Sequence, residues 1–490
     1  MVLRIAVAGL MLAMVLSALD QNIVAAALPR MASDLGGLAH LPWVATAFMV
    51  ASTVSTPLYG RLSDIHGRRP LFVVSIGIFL AASALCGLAR SMPELIVFRA
   101  LQGLGAGGLM TLSQTTIGDL VGPRERARWQ GLFTGAFAVC SVVGPALGGL
   151  LTQALSWRWV FYVNLPVGAV ALALLLVALG RAPRAAARSG RRIDTAGAAL
   201  LAAATLLWLA ARLLGGHGIA WASWRMAGLA AGALVLLAAF VAVERRVAEP
   251  LMDLSLFGVP AFRAGVLATA AMAFAMMGAL VFLPLYLQLV LGRQPAEAGL
   301  LMLPQVAGMV VSAAVGGRLV ARTGRFQRAL RIGVALEGAG LALLAVCAFA
   351  GAPAAAFGAA LVLLGLGMGV GMPNATVIVQ NAVPRGQLGA ATATMSFLRS
   401  LGGVAGVAVS GAVMGGVLQW RWPGGTLGAS AAAWSEGGLS ALAGLAPAAQ
   451  HGVLDAYRLA IGASFAVGGL VMLLAQLPVR RLPDEVVERG

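Results

Sequence analysis

Long apolar runs follow one another along almost the whole chain, and short segments rich in arginine separate them. A helix needs about 20 apolar residues to cross the hydrocarbon core of a bilayer. This rule predicts about fourteen spanning helices, at approximately residues 5–28, 41–60, 71–89, 94–115, 130–152, 160–180, 195–214, 226–243, 264–289, 298–318, 329–350, 354–378, 390–418 and 456–477. The pattern therefore predicts an all-α membrane protein.

The composition excludes several other classes of protein. Of the 490 residues, 60% are hydrophobic and 10% are charged, against about 25% charged residues in a soluble domain. A net charge of +17 suggests nucleic acid in a soluble chain, but these arginines lie between apolar runs, so no nucleic-acid partner is expected. Lysine is absent, which excludes the G-x-x-x-x-G-K-S/T loop of an ATP-driven pump. Histidine and cysteine form no cluster with ligand spacing, so we expect no metal and no bound cofactor.

The arginines also predict an orientation. With fourteen spans both termini lie on one side of the membrane, and 24 of the 34 arginines fall on that side against eight on the other. Because cytoplasmic loops carry an excess of arginine, both termini are expected in the cytoplasm, in a multi-pass inner-membrane protein surrounded by lipid. The Gly- and Ala-rich stretch at about 420–452 is then external, with no role assigned. The first run is over twenty residues long and contains Asp20, which favours a retained helix over a cleaved signal peptide.

The chain contains an internal repeat. Gly60-Arg61-Leu62 with Gly67-Arg68 recurs 257 residues later as Gly317-Arg318-Leu319 with Gly324-Arg325. Gly103-Leu104-Gly105 recurs after 262 residues as Gly365-Leu366-Gly367. Parallel repeats with a site at their interface are typical of transporters. We therefore predict two six-helix bundles related by a pseudo-two-fold axis, at 1–194 and, with a cytoplasmic tail, at 262–490, separated by two inserted helices and a linker at 195–261.

Two opposite charges lie inside predicted spans of the first half. The repeat aligns Asp20 with Ala275 and Arg99 with Leu361, so the scaffold accepts apolar residues at both places. A charge at mid-helix costs roughly 2.5–3.5 kcal/mol on insertion scales and usually faces the bundle interior with a partner. Two interpretations stay open: a static ion pair, or a carboxylate that alternately binds a proton and a substrate while Arg99 tunes its proton affinity. Gln102, one turn from Arg99, is expected to line the same cavity.

Three further features inside predicted spans are unusual for a membrane helix: an acid, an arginine and a segment with glycines and a proline. Glu337 is a second buried acid, and pairing with an arginine such as Arg331 or a part in transport fits it equally well. Arg399 is expected to be a structural charge that bonds polar groups between helices. The fifth span contains Gly144-Pro145 and Gly148-Gly149, where a hinge and a tight helix contact are equally compatible with the residues.

Six segments resemble motifs of one transporter family. Gly60-Arg61-Leu62-Ser63-Asp64-Ile65-His66-Gly67-Arg68-Arg69 resembles the loop signature of the major facilitator superfamily. Residues 19–29, 99–107 and 144–149 are similar to motifs of its drug:proton antiporters, although Cys140 stands where the antiporter motif usually has a glycine. Residues 157–166, and Ser396 with Arg399, resemble the fourteen-helix branch of the EmrB/QacA type.

The resemblance implies a mechanism and roles for particular residues. It implies proton-driven export by alternating access, in which Asp64 with Arg68 and Arg69 latches the inward-closed state. It links Arg99 to proton coupling and Asp20 to the transport cycle.

We therefore expect a transporter and not an enzyme, namely a proton-coupled multidrug efflux antiporter. Its expected partners are a small amphipathic solute, protons as the coupling ion, and membrane lipid, with the chain working as a monomer. Two alternatives remain at this point: a dedicated exporter of an endogenous metabolite, lipid or antibiotic, and a non-transporting membrane receptor or regulator.

Overall fold

The computed structural model describes residues 2–36, 40–180, 194–214, 223–247, 250–421 and 447–483, and these segments are helical with no strand among them. The first half contains α1 (Val2–Leu35), α2 (Leu41–His66), α3 (Arg68–Leu88), α4 (Met92–Leu120), α5 (Pro123–Ala154), α6 (Trp159–Tyr162) and α7 (Asn164–Leu179), followed by α8 (Thr195–Leu214) and α9 (Trp224–Glu244). The second half contains α10 (Pro260–Leu285), α11 (Pro295–Leu301), α12 (Leu303–Thr323), α13 (Phe326–Ala350), α14 (Ala354–Asn381), α15 (Leu388–Arg421) and α16 (Pro447–Arg480). The all-α prediction is confirmed.

Twelve stretches of helix in the described segments are long and apolar enough to cross a membrane. Two of them combine short neighbours, since α6 with α7 and α11 with α12 each form one span. Helix α2 is not among the twelve, and α8 contributes only the shorter apolar stretch Ala196–Leu207. The count of fourteen therefore stays a prediction. Most of the stretch at 420–452 lies outside the described residues, as do residues 181–193 and 215–222.

The sequence repeat corresponds to a repeat of turns and contacts. Gly67 joins α2 to α3 with φ of 87°, and Gly324 joins α12 to α13 with φ of 70°, a backbone region that favours glycine. Gly103 lies against the carbonyl oxygen of Phe48, and its counterpart Gly365 lies against that of Gln305. Since 257 residues separate Phe48 from Gln305, the two halves place matching glycines against matching partners.

The halves contact each other at the end of the molecule that carries the two Gly-Arg loops, here called the loop end. Gly317 of α12 packs against α5, where an added Cβ would lie 2.9 Å from the Ala127 carbonyl oxygen. Gly60 of α2 packs equally closely against α15, at 2.5 Å from the Gly389 carbonyl oxygen. The structure is therefore closed at the loop end by two helix pairs, α5 with α12 and α2 with α15.

Candidate functional site

A buried ion pair joins α1 to α4. Arg99 Nη1 donates to Asp20 Oδ2 at 2.5 Å, and the two residues are 1% and 0% exposed. Helix periodicity puts Gln102 one turn from Arg99 on the same face of α4, and Gln102 is also fully buried. The structure thus brings together the three residues of the first half that the sequence singles out.

Two residues that the sequence analysis missed complete the cluster. Gln102 Nε2 and Asn164 Nδ2 donate to Asp20 Oδ1 at 2.9 and 2.8 Å. Both amides also donate to Ser83 Oγ of α3, and the Ser83 hydroxyl donates to the Phe161 carbonyl oxygen at 2.9 Å. Asn164 lies in the quoted segment 157–166 and could have been found there. Ser83 had no signal, because a single serine in an apolar span is ordinary.

The Arg99 side chain makes further contacts within the first half. Nη1 also donates to Gln102 Oε1 at 2.7 Å, and Nε donates to the Val44 carbonyl oxygen at 3.4 Å. The guanidinium carbon lies 4.1 Å from the ring centroid of Phe48, a cation–π distance. The charge is therefore held in a buried pocket built from α1, α2, α3, α4 and the α6–α7 segment.

This arrangement fits an ionised Asp20. The carboxylate accepts three hydrogen bonds from a guanidinium and two amides, and hydrogen bonds to a charged group contribute about 1.5–3 kcal/mol each. A proton on Asp20 would neutralise the acid and leave Arg99 as a buried charge without a counterion, which typically costs about 3–5 kcal/mol. The carboxylate of Asp20 and the guanidinium of Arg99 therefore each compensate the buried charge of the other.

Two glycines of α5 bring this helix into close contact with α1, next to the cluster. A Cβ at Gly144 would lie 2.6 Å from the Asn22 Cβ, and one at Gly148 would collide with the Ile23 carbonyl oxygen. Because Asn22 and Ile23 directly follow Asp20 and Gln21, α5 packs on α1 beside the ion pair. Cys140 is buried one turn before Gly144 and does not prevent this packing.

The other two residues of that motif lie on a different face of α5. Pro145 is exposed, and a Cβ at Gly149 would have nothing within 4 Å. Of the two interpretations left open, the structure therefore shows a tight contact at Gly144 and Gly148.

A second polar cluster lies at the loop end and joins the two halves. Asp64 Oδ1 and Oδ2 accept hydrogen bonds from the Gly389 and Ala390 backbone nitrogens, at 2.9 and 2.8 Å. These nitrogens belong to the first turn of α15, where the helix dipole favours a negative charge. The Asp64 side chain is fully buried and also pairs with Arg68 Nη2 at 2.9 Å. Asp64 therefore clamps the start of α15 to the end of α2.

Neighbouring residues extend this clamp. Arg68 Nε bonds Asp119 Oδ2 at the end of α4, at 2.8 Å. Arg126 Nη1 donates to Asn381 Oδ1 at 2.7 Å, a contact between the halves that the sequence analysis missed. Arg69 is exposed and lies beside Gly180 at the end of α7, so the structure brings Arg68 but not Arg69 to Asp64.

Arg399 and Glu337 are the two charges that the sequence analysis singled out in the second half, and their surroundings differ. Arg399 lies on α15, and its Nη2 lies 3.5 Å from the Met110 Sδ of α4, which links the two halves. Glu337 is fully buried, and its two carboxylate oxygens have no hydrogen-bond partner among the described residues. Arg331 instead donates to the Val479 carbonyl oxygen at 3.3 Å and to that of Leu482. Of the two interpretations left open for Glu337, the structure therefore does not show the pairing with Arg331.

The fold and the buried cluster define a class of protein. Two matched helical bundles surround a buried ion pair and meet through a clamp at one end, which is the architecture of a membrane transporter with parallel repeats. In the described segments, no group of three or more His, Cys, Asp or Glu side chains is placed to hold a metal ion.

The chain belongs to the Major Facilitator Superfamily, whose model matches residues 10–201, 189–407 and 265–458. It is 37% identical over 409 residues to the multidrug transporter protein MdtP of Bacillus subtilis, covering 83% of this chain and 74% of that one. It is 35% identical over 339 residues to the efflux pump dotC of Dothistroma septosporum, covering 69% of this chain and 58% of the relative. The family resemblance is thereby confirmed, and the fourteen-helix branch stays a prediction.

Solved structures show the same fold. The human organic anion transporter MFSD10 matches with a TM-score of 0.66 and 17% identity, over 97% of this chain and 99% of that one. The proton:xylose symporter XylE matches with a TM-score of 0.63 and 15% identity, over 96% and 94% of the two chains. At these identities the likeness concerns the fold alone.

Proposed function

We propose that this chain is a proton-coupled multidrug efflux antiporter that exports amphipathic organic compounds by alternating access. The relatives named as a multidrug transporter and an efflux pump support the export of organic compounds. The observation that supports proton coupling is the fully buried Asp20–Arg99 pair, in which the acid has three donors while it is ionised.

The proposed coupling runs from the ion pair to the loop end through α5. When Asp20 takes a proton, Arg99 loses its counterion and α1 shifts relative to α4. Because α1 packs on Gly144 and Gly148, the shift reaches α5. Helix α5 packs on α12 at Gly131, where an added Cβ would collide with the Ala313 carbonyl oxygen. A movement of α5 therefore strains one of the two helix pairs that close the loop end.

Opening of the loop end also requires the Asp64 clamp to break. The two bonds from α15 to Asp64 exist only while α2 and α15 are in contact. We place the loop end in the cytoplasm of a bacterial-type inner-membrane arrangement, with both termini on that side and the chain working as a monomer in lipid. The conformation described is then the inward-closed one.

The decisive test is Asp20→Asn, which keeps the shape of the side chain and removes its titration. Purified wild-type and variant protein in proteoliposomes would be given a pH gradient, and transport of lipophilic cations and neutral drugs would be followed together with lumenal pH. We expect the variant to insert and fold but to lose proton-driven transport. Glu297→Gln, which changes an exposed acid paired at 3.7 Å with Arg293, is the matched control and should behave as wild type. Full coupled transport by Asp20→Asn would refute the mechanism.

The substrate panel also separates the two alternatives. Competition among many unrelated compounds supports a multidrug pump, whereas transport of one compound with no competition favours a dedicated exporter. A wild-type protein that binds compounds but produces no pH change in the vesicles would favour a receptor.

A further inference from the structure

The two halves place different side chains at one matching position. Gly105 of α4 packs on α3, where an added Cβ would lie 2.7 Å from the Ser75 carbonyl oxygen and the Phe79 nitrogen. Gly367, its counterpart in α14, packs in the same way on the Gly333 carbonyl oxygen and the Glu337 nitrogen. Glu337 therefore occupies the place of Phe79, a fully buried aromatic residue in the apolar core of the first half.

Among the described residues, no group that could neutralise a negative charge lies beside Glu337. Glu337 is the twelfth of the 25 residues of α13 and lies at the middle of the span. Helix α14, its most extensive neighbour, carries no acidic, basic, cysteine or tyrosine residue. The charged residues of α13 itself and of the other helices packed on it lie toward the helix ends, namely Arg328 and Arg331 on α13, Arg263 on α10, Arg318 and Arg322 on α12, and His451, Asp455, Arg458 and Arg480 on α16. The titratable Cys347 and Tyr457 lie near the opposite end of α13 from Arg328.

A carboxyl group in these surroundings is neutral. Both of its oxygens lack a partner among the described residues, and the residue is 0% exposed. An isolated ionised carboxylate is so costly to bury that the group takes up a proton instead. The contrast with Asp20 is direct, because Asp20 has three donors and Glu337 has none.

One flexible side chain fills the space beside the helix contact that holds Glu337. Gly333, one turn before Glu337, lies next to Gly371 of α14, and the Met272 side chain of α10 fills the space beside them. A Cβ at Gly371 would lie 2.5 Å from the Met272 methyl carbon and 3.5 Å from the Gly333 Cα. Methionine is flexible and unbranched, so the Met272 side chain can leave this space when α10 moves.

From this geometry we propose that Glu337 is a second proton-binding site of the transporter, occupied in the closed conformation and emptied when α10 moves away from α13 and α14. The ligand is a proton, and the first half carries no equivalent because Phe79 stands there. The transport consequence rests on the proposed function, whereas the occupancy of the site can be measured without transport.

Infrared spectroscopy of purified protein tests the occupancy. We expect wild-type protein near neutral pH to show the carbonyl stretch of a buried protonated carboxyl group. This signal should be lost in Glu337→Gln and kept in both Asp20→Asn and Glu297→Gln. Glu337→Phe, which copies the first half, is the second variant if the amide does not fold. A wild-type spectrum without this signal, or one that both Glu337 variants leave unchanged, would overturn the proposal.

The coupling ratio tests whether the proton is exchanged. With the membrane potential clamped at zero, a pH difference of one unit lets each coupled proton multiply the steady-state substrate gradient about tenfold. We expect Glu337→Gln to lower that gradient about tenfold and Glu297→Gln to leave it unchanged. An unchanged gradient would show that the proton is held and never released, which also overturns the proposal. If the wild-type protein builds no gradient at all, the proposed function fails, and the infrared result still decides the occupancy of Glu337.

Discussion

The two halves of this transporter share a scaffold and differ in the polar groups placed inside it. In the first half, Asp20, Arg99 and Ser83 form a hydrogen-bonded cluster. Their counterparts in the second half are Ala275, Leu361 and Leu341, which are buried together in one apolar core. The matching glycine contacts are kept in both halves. The helix packing therefore depends on small residues, and the charges are additions that the packing does not need.

The strongest test of this comparison makes the first half resemble the second. Arg99→Leu alone leaves Asp20 buried without its counterion, and we expect a loss of about 3–5 kcal/mol in stability together with loss of coupled transport. Adding Asp20→Ala removes the uncompensated charge and should restore most of the stability but not the transport. Thermal unfolding and proteoliposome transport of the single and double variants would measure both. A double variant as unstable as Arg99→Leu would show that the scaffold does depend on the pair.

A second test concerns the loop end, where the halves also differ. Asp64 clamps α15, while the matching position at the end of α12 is Ala321. Asp64→Ala removes two charge-assisted hydrogen bonds, each contributing about 1.5–3 kcal/mol, from the closed conformation only. We expect a larger open population, measured by cysteine accessibility at the loop end, and transport slowed several-fold with substrate binding retained. Glu297→Gln is the control, and normal turnover in Asp64→Ala would contradict the clamp.

A third test asks whether the first half requires all three hydrogen-bond donors to Asp20 for stability and transport. Asn164→Ala removes one of the three hydrogen bonds to Asp20 and should cost about 1.5–3 kcal/mol. Transport should weaken with a shifted pH profile, because the ionised acid is less well stabilised. Replacing Asn381, an exposed residue that bonds Arg126 at the loop end, is the comparison for the loss of an amide hydrogen bond outside the cluster. A pH profile identical to that of the wild type would indicate that Asn164 only packs.

The smallest expected effects come from two adjacent glycines. Gly148→Ala places a methyl group against the Ile23 carbonyl oxygen, and overpacking of this kind costs about 1–3 kcal/mol. Gly149→Ala meets open space and should be neutral or stabilise the helix by about 0.5–1 kcal/mol. Thermal unfolding of the two variants measures the difference. Equal stability would contradict a tight contact between α5 and α1.

The fold could be predicted largely from the residues, and the site only in part. Apolar run length and the repeated glycine motifs predict helices and two matched bundles because both depend on local sequence. The pairing of Asp20 with Arg99 could be anticipated because an isolated charge inside a span needs a partner. The part played by Ser83 could not be anticipated, because its hydroxyl joins the cluster only by accepting hydrogen bonds from the amides of Gln102 and Asn164. The choice between the two interpretations of Glu337 could not be made from the sequence, because it does not show that the Val479 carbonyl oxygen of α16 binds Arg331.

By itself, the order of residues determined that this chain lies in lipid as helices, that it contains a repeat, and that a few charges stand where hydrocarbon disfavours them. Only the tertiary structure decided which of those charges are compensated. Hydrogen bonds join residues that are far apart in the chain, such as Asn164 and Asp20, and their distances depend on how five helical segments converge. That convergence surrounds Asp20 with donors and leaves Glu337 without any.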